Sequence, residues 1–185
     1  MVETDEAMTE VIPEDRKAPE IVRLTRADGS GLRALYRAVA ADLRAKGVRQ
    51  WDRFYPNRWI IGGDVRRGAA FGIREEGRIV GAVVVDRRQS GKYAGLPWSD
   101  RSGNPACVHR LAVHPAHQGR GIGKSLLRYA EEQARRAGCT SIRLDVYSAN
   151  PGAVAMYRRA GYAEVGTVRF PMREAPYLVF EKRLG

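Results

Sequence analysis

From Val108 to Leu127 the chain reads VHRLAVHPAHQGRGIGKSLL, with glycines at 119, 121 and 123 set two residues apart. Glycines that close leave a run of backbone N–H groups uncovered by side chains, and a helical pattern follows at once. Bare donors running into a helix N-terminus aim partial positive charge at one point, an arrangement suited to a diphosphate. Downstream, Asn150 can cap a helix, and Tyr157 lies two turns further along the same face, ahead of Gly161 and Tyr162. A phenol there can give up a proton, and the imidazole of His109 can take one near neutral pH. The other two histidines, His114 and His117, flank Pro115 and read as turn residues.

The glycine loop differs from two look-alikes. Gly123–Lys124–Ser125 lacks the upstream glycine of a Walker A loop. A dinucleotide fingerprint needs glycines spaced G-x-G-x-x-G in a first strand–helix unit, and these three are too close together.

The elements around these residues follow from periodicity. Ile21 to Thr25 reads as a first strand. Asp28 or Ser30 can then cap a helix whose apolar positions are Leu32, Leu35, Tyr36, Val39 and Leu43, with Gly47 as the stop. Trp51 to Pro56 is an aromatic connector, and Trp59, Ile60, Ile61 and Val65 suggest a short second helix. Ala69–Arg74 and Arg78–Asp86, parted by Glu75–Glu76–Gly77, form a hairpin signal. Arg88 to Pro105 is a long Gly/Ser/Pro-rich loop carrying Tyr93 and Trp98, and such loops are more often functional than idle. Cys107–Val113 is a strand, on which His109 shares alternation with Leu111 and Val113. Ile122–Ala137 is a helix closed by Gly138, and Ile142–Tyr147 a strand. Asn150 and Pro151 open a short helix that Gly161 ends. Ala163–Phe170 and Tyr177–Leu184 complete the strands.

The segment LAVHPAHQGRGIGKSLL resembles the acyl-CoA-binding motif [RQ]-x-x-G-x-[GA] of the GNAT superfamily of N-acetyltransferases, through Gln118, Gly121 and Gly123. IRLDVYSANPGAVAMYRRAGY is similar to that superfamily's N-x-x-A-x-x-x-Y-x-x-x-G-[FY] segment, through Asn150, Ala153, Tyr157, Gly161 and Tyr162. The likeness covers most of residues 21–184. Gln50–Trp51 and Tyr55–Pro56, paired with HRLAVHP, are similar to a bacterial subgroup whose substrate the motif does not reveal.

The resemblance implies an α/β fold: a mixed, twisted sheet of six to seven strands, flanked by about four helices, with splayed central strands. It implies direct acetyl transfer from acetyl-CoA to a primary amine, with no metal. Tyr157 is then the candidate acid for the departing thiolate, and a backbone N–H near Leu111 the donor to the thioester carbonyl. His109 is a candidate base, with Asp145 or a water chain as alternatives, because Cys107 stands where many members carry glutamate. Leu111, Ala112 and Val113 are expected to pair with the pantetheine arm, and Asn150 and Tyr157 to contact the cofactor. Gln118, Gly119, Arg120, Gly121, Ile122, Gly123, Lys124 and Ser125 would hold the pyrophosphate, with Arg120 and Lys124 as charged support. Trp51, Tyr55, Tyr93, Trp98 and Asp145 are expected around the acceptor. That acceptor is read as a small molecule such as an amino acid, a polyamine or an antibiotic-like amine. Protein lysines or N-termini, and an acyl-CoA sensor without turnover, stay open as alternatives. Family members are often dimers, which leaves a homodimer open.

Composition narrows the rest. With 185 residues, 44% hydrophobic and 29% charged, the chain matches a soluble globular protein, here a domain over 21–185 behind a mobile acidic tail, 1–20. The net charge of +11 comes from arginines spread along the chain, only five of the 32 basic residues being lysine. Scattered arginines without a nucleic-acid motif argue against a nucleic-acid partner. No apolar run is long enough for a bilayer, and the acidic start differs from a secretory signal. Cys107 and Cys139 form no disulfide framework or zinc pattern, consistent with a reduced, cytoplasmic setting.

Overall fold

The computed structural model describes residues 20–52 and 55–185. The expected N-terminal tail lies outside the described residues, apart from Glu20. In chain order the elements are β1 (Ile21–Arg23), α1 (Gly29–Ala45), α2 (Arg58–Arg66), β2 (Ala70–Glu75), β3 (Arg78–Asp86) and β4 (Pro105–Val108). Then come β5 (Ala112–Val113), α3 (Ile122–Arg136), β6 (Ser141–Tyr147), α4 (Pro151–Arg159), β7 (Ala163–Val168) and β8 (Tyr177–Arg183). One mixed sheet runs β1-β2-β3-β4-β6-β8-β7, with β5 beside β3. All pairs are antiparallel except β4–β6.

Local chemistry explains the elements. The β2–β3 turn places Glu76 and Gly77 at φ 49° and 74°, the left-handed pair that suits a two-residue hairpin. Helix α1 buries Leu32, Leu35, Tyr36, Val39 and Ala40 on one stripe, and α3 buries Ile122, Leu126, Leu127, Ala130 and Ala134. These stripes cover opposite faces of the sheet. The α3 side holds a core with Val83, Val108, Leu144 and Phe180, and the α1–α2 side one with Leu24, Ile61, Ala82 and Val84. Burying each of the Val, Leu, Ile and Phe side chains among these contributes roughly 1.5–3 kcal/mol. A Cβ at Gly81 would stand 2.7 Å from Ile122 Cγ2, so glycine there lets the start of α3 press against β3.

The expected continuous strand Cys107–Val113 is corrected to two short strands, which raises the strand count to eight. Val108 faces Val85 and Ala112 faces Ala82, so three residues (109–111) oppose only Val83 and Val84. That is a β-bulge, and one extra residue reverses the alternation of side chains. Val108 and Val113 therefore both pack on the α3 side although five residues apart, while Ala112 packs on the other. The expectation that His109 shares a face with Leu111 and Val113 fails for this reason. The same break splays the sheet: β4 last pairs with β6 at Cys107–Arg143, whereas β6 continues to Tyr147 along β8.

Candidate active site

A cleft of about 1410 Å³ opens where β5 and β6 part. Its two sides are built differently. On the α3 side, Gly119 and Gly121 adopt φ 77° and 78°, and a Cβ on either would meet nothing within 4 Å. Gly121 caps α3, whose first helical bond runs from Ser125 N–H to Gly121 O at 3.0 Å. The N–H groups of Ile122, Gly123 and Lys124 thus have no acceptor in the helix, and all three residues line the cleft. A Cβ at Gly123 would reach only Met156 Sδ (3.4 Å), Val113 Cγ2 (3.6 Å) and Leu111 Cδ2 (3.8 Å), ordinary contacts. Open space, unspent donors and a helix dipole fit a diphosphate, and the edge of Leu111–Val113 turned away from β3, where Gln118 Nε2 reaches the Val113 carbonyl at 3.4 Å, fits an extended arm beside it.

Tyr157 of α4 also lines the cleft, buried against Tyr162 and Phe180 (ring centroids 5.8 and 6.4 Å). Burial, and then the charge of Asp145, push its phenol well above the usual range, so it stays protonated. Asn150 accepts from Ala153 N–H at 3.2 Å, capping α4, and donates to Gln50 Oε1 at 2.9 Å.

The α1–α2 side is made of side chains. His109 Nε2 lies 3.0 Å from Asp86 Oδ1, which leaves Nδ1 without a partner among the described residues. Burial alone would raise Asp86, but His109, the Arg88 N–H and the charge of Arg67 hold it below the usual carboxylate range. Arg110 is tied to Asp64 (2.7 Å) and donates to Tyr55 Oη (3.0 Å). Asp145 accepts from Tyr93 Oη at 2.7 Å, and its burial lifts it above the usual range despite Tyr93, His109 and Arg110. Trp51 and Tyr55 line this side, the former edge-on to Tyr36 at 5.5 Å.

This geometry has close parallels. The model of the Acetyltransferase (GNAT) family matches residues 32–162, most of the chain. The chain belongs to the GNAT family of acetyltransferases. The uncharacterized N-acetyltransferase YesJ of Bacillus subtilis is 28% identical over 160 residues, 85% of this chain and 86% of YesJ. Streptothricin acetyltransferase of Streptomyces lavendulae is 32% identical over 57% of this chain. N-alpha-acetyltransferase RimI of Mycobacterium tuberculosis is 44% identical over 46% of this chain. In both, the match spans about half of the relative, 54%. Among solved structures, YncA of Salmonella typhimurium with its cofactor acetyl-CoA shares the fold at TM-score 0.68. That match is 18% identical and covers 91% of this chain and 95% of YncA.

In this acetyltransferase the cleft gathers most, though not all, of the residues singled out from sequence. Leu111, Ala112, Val113, Gln118, Gly119, Gly121, Ile122, Gly123, Lys124, Asn150 and Tyr157 line it, with His109, Asp145, Trp51 and Tyr55. Arg120, Ser125, Tyr93 and Trp98 do not. Arg120 is turned to Glu75 (3.0 Å) and His117 (2.6 Å). Tyr93 is buried beneath Asp145, and Trp98 donates to the Tyr93 carbonyl (3.1 Å) with Arg143 stacked on its ring at 3.9 Å. Sequence reasoning missed Asp86, Asp64, Arg110 and Arg173. The one local signal was Asp64, an acid inside an apolar helical stripe. Among the described residues no helix could cross a membrane, and no cluster of three or more His, Cys, Asp or Glu is set to hold a metal.

Proposed function

We propose that this acetyltransferase moves an acetyl group from acetyl-CoA directly to the primary amine of a small molecule. The observation that carries the reading is the glycine cradle, open and rich in unspent N–H groups, beside the edge of β5 turned away from β3. Gly119 to Lys124 would hold the pyrophosphate, and Leu111 and Val113 would pair their backbones with the pantetheine amides. When bound, acetyl-CoA supplies an activated acyl carbon whose C–S bond breaks as the new C–N bond forms.

The chain's own groups handle the charge and protons. The backbone at Leu111, set in the bulge, offers an N–H to the carbonyl oxygen as it gains charge. His109 Nδ1 takes the proton that the amine loses, with Asp86 holding the ring through Nε2. Tyr157 gives its proton to the departing sulfur, a role its buried, protonated phenol suits. The segments around Trp51 are tied to the loop after β7: Arg173 reaches Asp52 (2.9 Å) and Arg49 reaches Glu174 (2.8 Å), which favours a small acceptor over a folded protein surface.

The test is thiol release from acetyl-CoA against small amines and against peptides with free N-termini or lysines, with products identified by mass. N-acetylated small amines are the expected result. Turnover of peptides alone would contradict the small-molecule acceptor, and absence of thiol release with every amine would contradict the transferase reading.

A further inference from the structure

Four carboxylates line the cleft, and three already have cationic partners. Asp42 pairs with Lys46 at 2.6 Å, Asp64 with Arg67 and Arg110 at 2.7 Å, and Asp86 with Arg67 at 3.6 Å. Asp145 has no ion pair among the described residues. Its Oδ2 takes the Tyr93 hydroxyl at 2.7 Å, and its Oδ1 has no protein donor among them. Tyr93 is itself fixed, 4% exposed and bonded at its carbonyl by Trp98 Nε1, so Asp145 is held in place by a neutral group. Asp145 is half-buried; a carboxylate partly withdrawn from water without a counter-charge carries a cost that a ligand cation can remove. Burial lifts Asp145 above the ordinary range, and a cation docking on Oδ1 would bring it back down.

The cleft that Asp145 lines also carries aromatic side chains. Trp51, Tyr55, Phe170 and Tyr177 line the cleft, the last two in edge contact at 4.9 Å, and Trp59 lines it while 69% exposed. The cationic side chains are mostly committed: Arg67 and Arg110 to Asp64, Arg173 to Asp52. Arg88 and Arg159, both exposed, are the guanidiniums lining the cleft without an acid partner among the described residues.

We propose that the acceptor is a primary amine on an apolar, aromatic-sized body without an acidic group, its ammonium bound by Asp145 Oδ1. The proposal rests on the acetyl-transfer reading above and narrows its acceptor. Asp145 is a binding group here. The ammonium docks on it, gives one proton to solvent to become the neutral nucleophile, and loses the second to His109 as the C–N bond forms. Tyr93 positions Asp145, and the aromatic side chains of the cleft take the apolar body. An acceptor carrying a carboxylate would bring a second negative charge beside Asp145.

The experiment compares 2-phenylethylamine, phenylalanine and putrescine as acceptors for the full-length protein, by initial-rate thiol release, with acetyl-CoA affinity measured separately by calorimetry. The expected result is a kcat/KM for 2-phenylethylamine at least about ten-fold above the other two, the scale of one charged hydrogen bond. Asp145→Asn should raise its KM about ten-fold at unchanged acetyl-CoA affinity. Tyr93→Phe, a milder change, should raise that KM less and leave kcat alone. Equal or better use of phenylalanine, pointing to Arg88 or Arg159, or of putrescine would overturn the proposal. So would an unchanged KM in both variants. Failure of the unaltered protein to bind acetyl-CoA would instead bring down the acetyl-transfer reading, and this proposal with it.

Discussion

The two sides of the cleft were made by different means. The α3 side is backbone: glycines at 119, 121 and 123 and the start of one helix, contiguous in sequence. The α1–α2 side is side chain, assembled from residues far apart, such as Arg173 on Asp52 and Asn150 on Gln50. A shared ligand group of fixed shape can be held by main-chain donors, which only spacing must specify. A variable acceptor has to be read by particular side chains, and those leave little local pattern.

The sharpest way to break that contrast is at the proposed proton donor between the sides. Tyr157→Phe keeps the buried ring against Tyr162 and Phe180 and should lower kcat by about ten-fold or more, with acetyl-CoA affinity unchanged by calorimetry. An unaltered kcat would take Tyr157 out of the chemistry. Asp86→Asn should lower kcat/KM for the amine by several-fold, because His109 loses the carboxylate that holds its ring.

The two acids of the acceptor side should also affect stability in opposite senses. Asp86 sits below its unfolded value, so it stabilises the fold above the ordinary carboxylate range and that gain is lost as pH falls through its folded pKa. Asp86→Asn should therefore unfold earlier near neutral pH, by on the order of 1 kcal/mol, with the deficit fading in acid. Asp145 sits above its unfolded value, so its penalty is absent below the ordinary range and grows as pH rises through its folded pKa. Asp145→Asn should unfold later near neutral pH and match the parent in acid. Thermal melts across pH read both, and equal signs would refute the charge assignment.

Much of the fold was legible because its signals are local. Asn150 caps α4, Gly138 and Gly161 follow α3 and α4 in the left-handed region, and Glu76–Gly77 turn the hairpin. The cradle was legible for the same reason. The bulge at 109–111 was not, since it depends on which residues of β3 stand opposite, and with it went the face of His109. Tyr93 and Trp98 looked like acceptor contacts in a long loop, yet the fold turns them inward to support Asp145 and cover Arg143.

The smallest expected effect is at the joint of the two sides. Asn150→Ala removes the α4 cap and should cost about 1 kcal/mol in chemical denaturation. Asn150→Asp keeps the cap while losing the donor to Gln50, and should cost less.

The cradle itself is tested most directly by Gly123→Ala, followed by calorimetry with acetyl-CoA and by thermal unfolding. A methyl at 123 meets only ordinary contacts in the protein and raises helix propensity, so the melting temperature should hold or rise. The same methyl would fill space that the diphosphate needs, so acetyl-CoA affinity should fall at least about ten-fold, or roughly 1.4 kcal/mol. Unchanged affinity in a stable Gly123→Ala protein would contradict a backbone cradle for the cofactor.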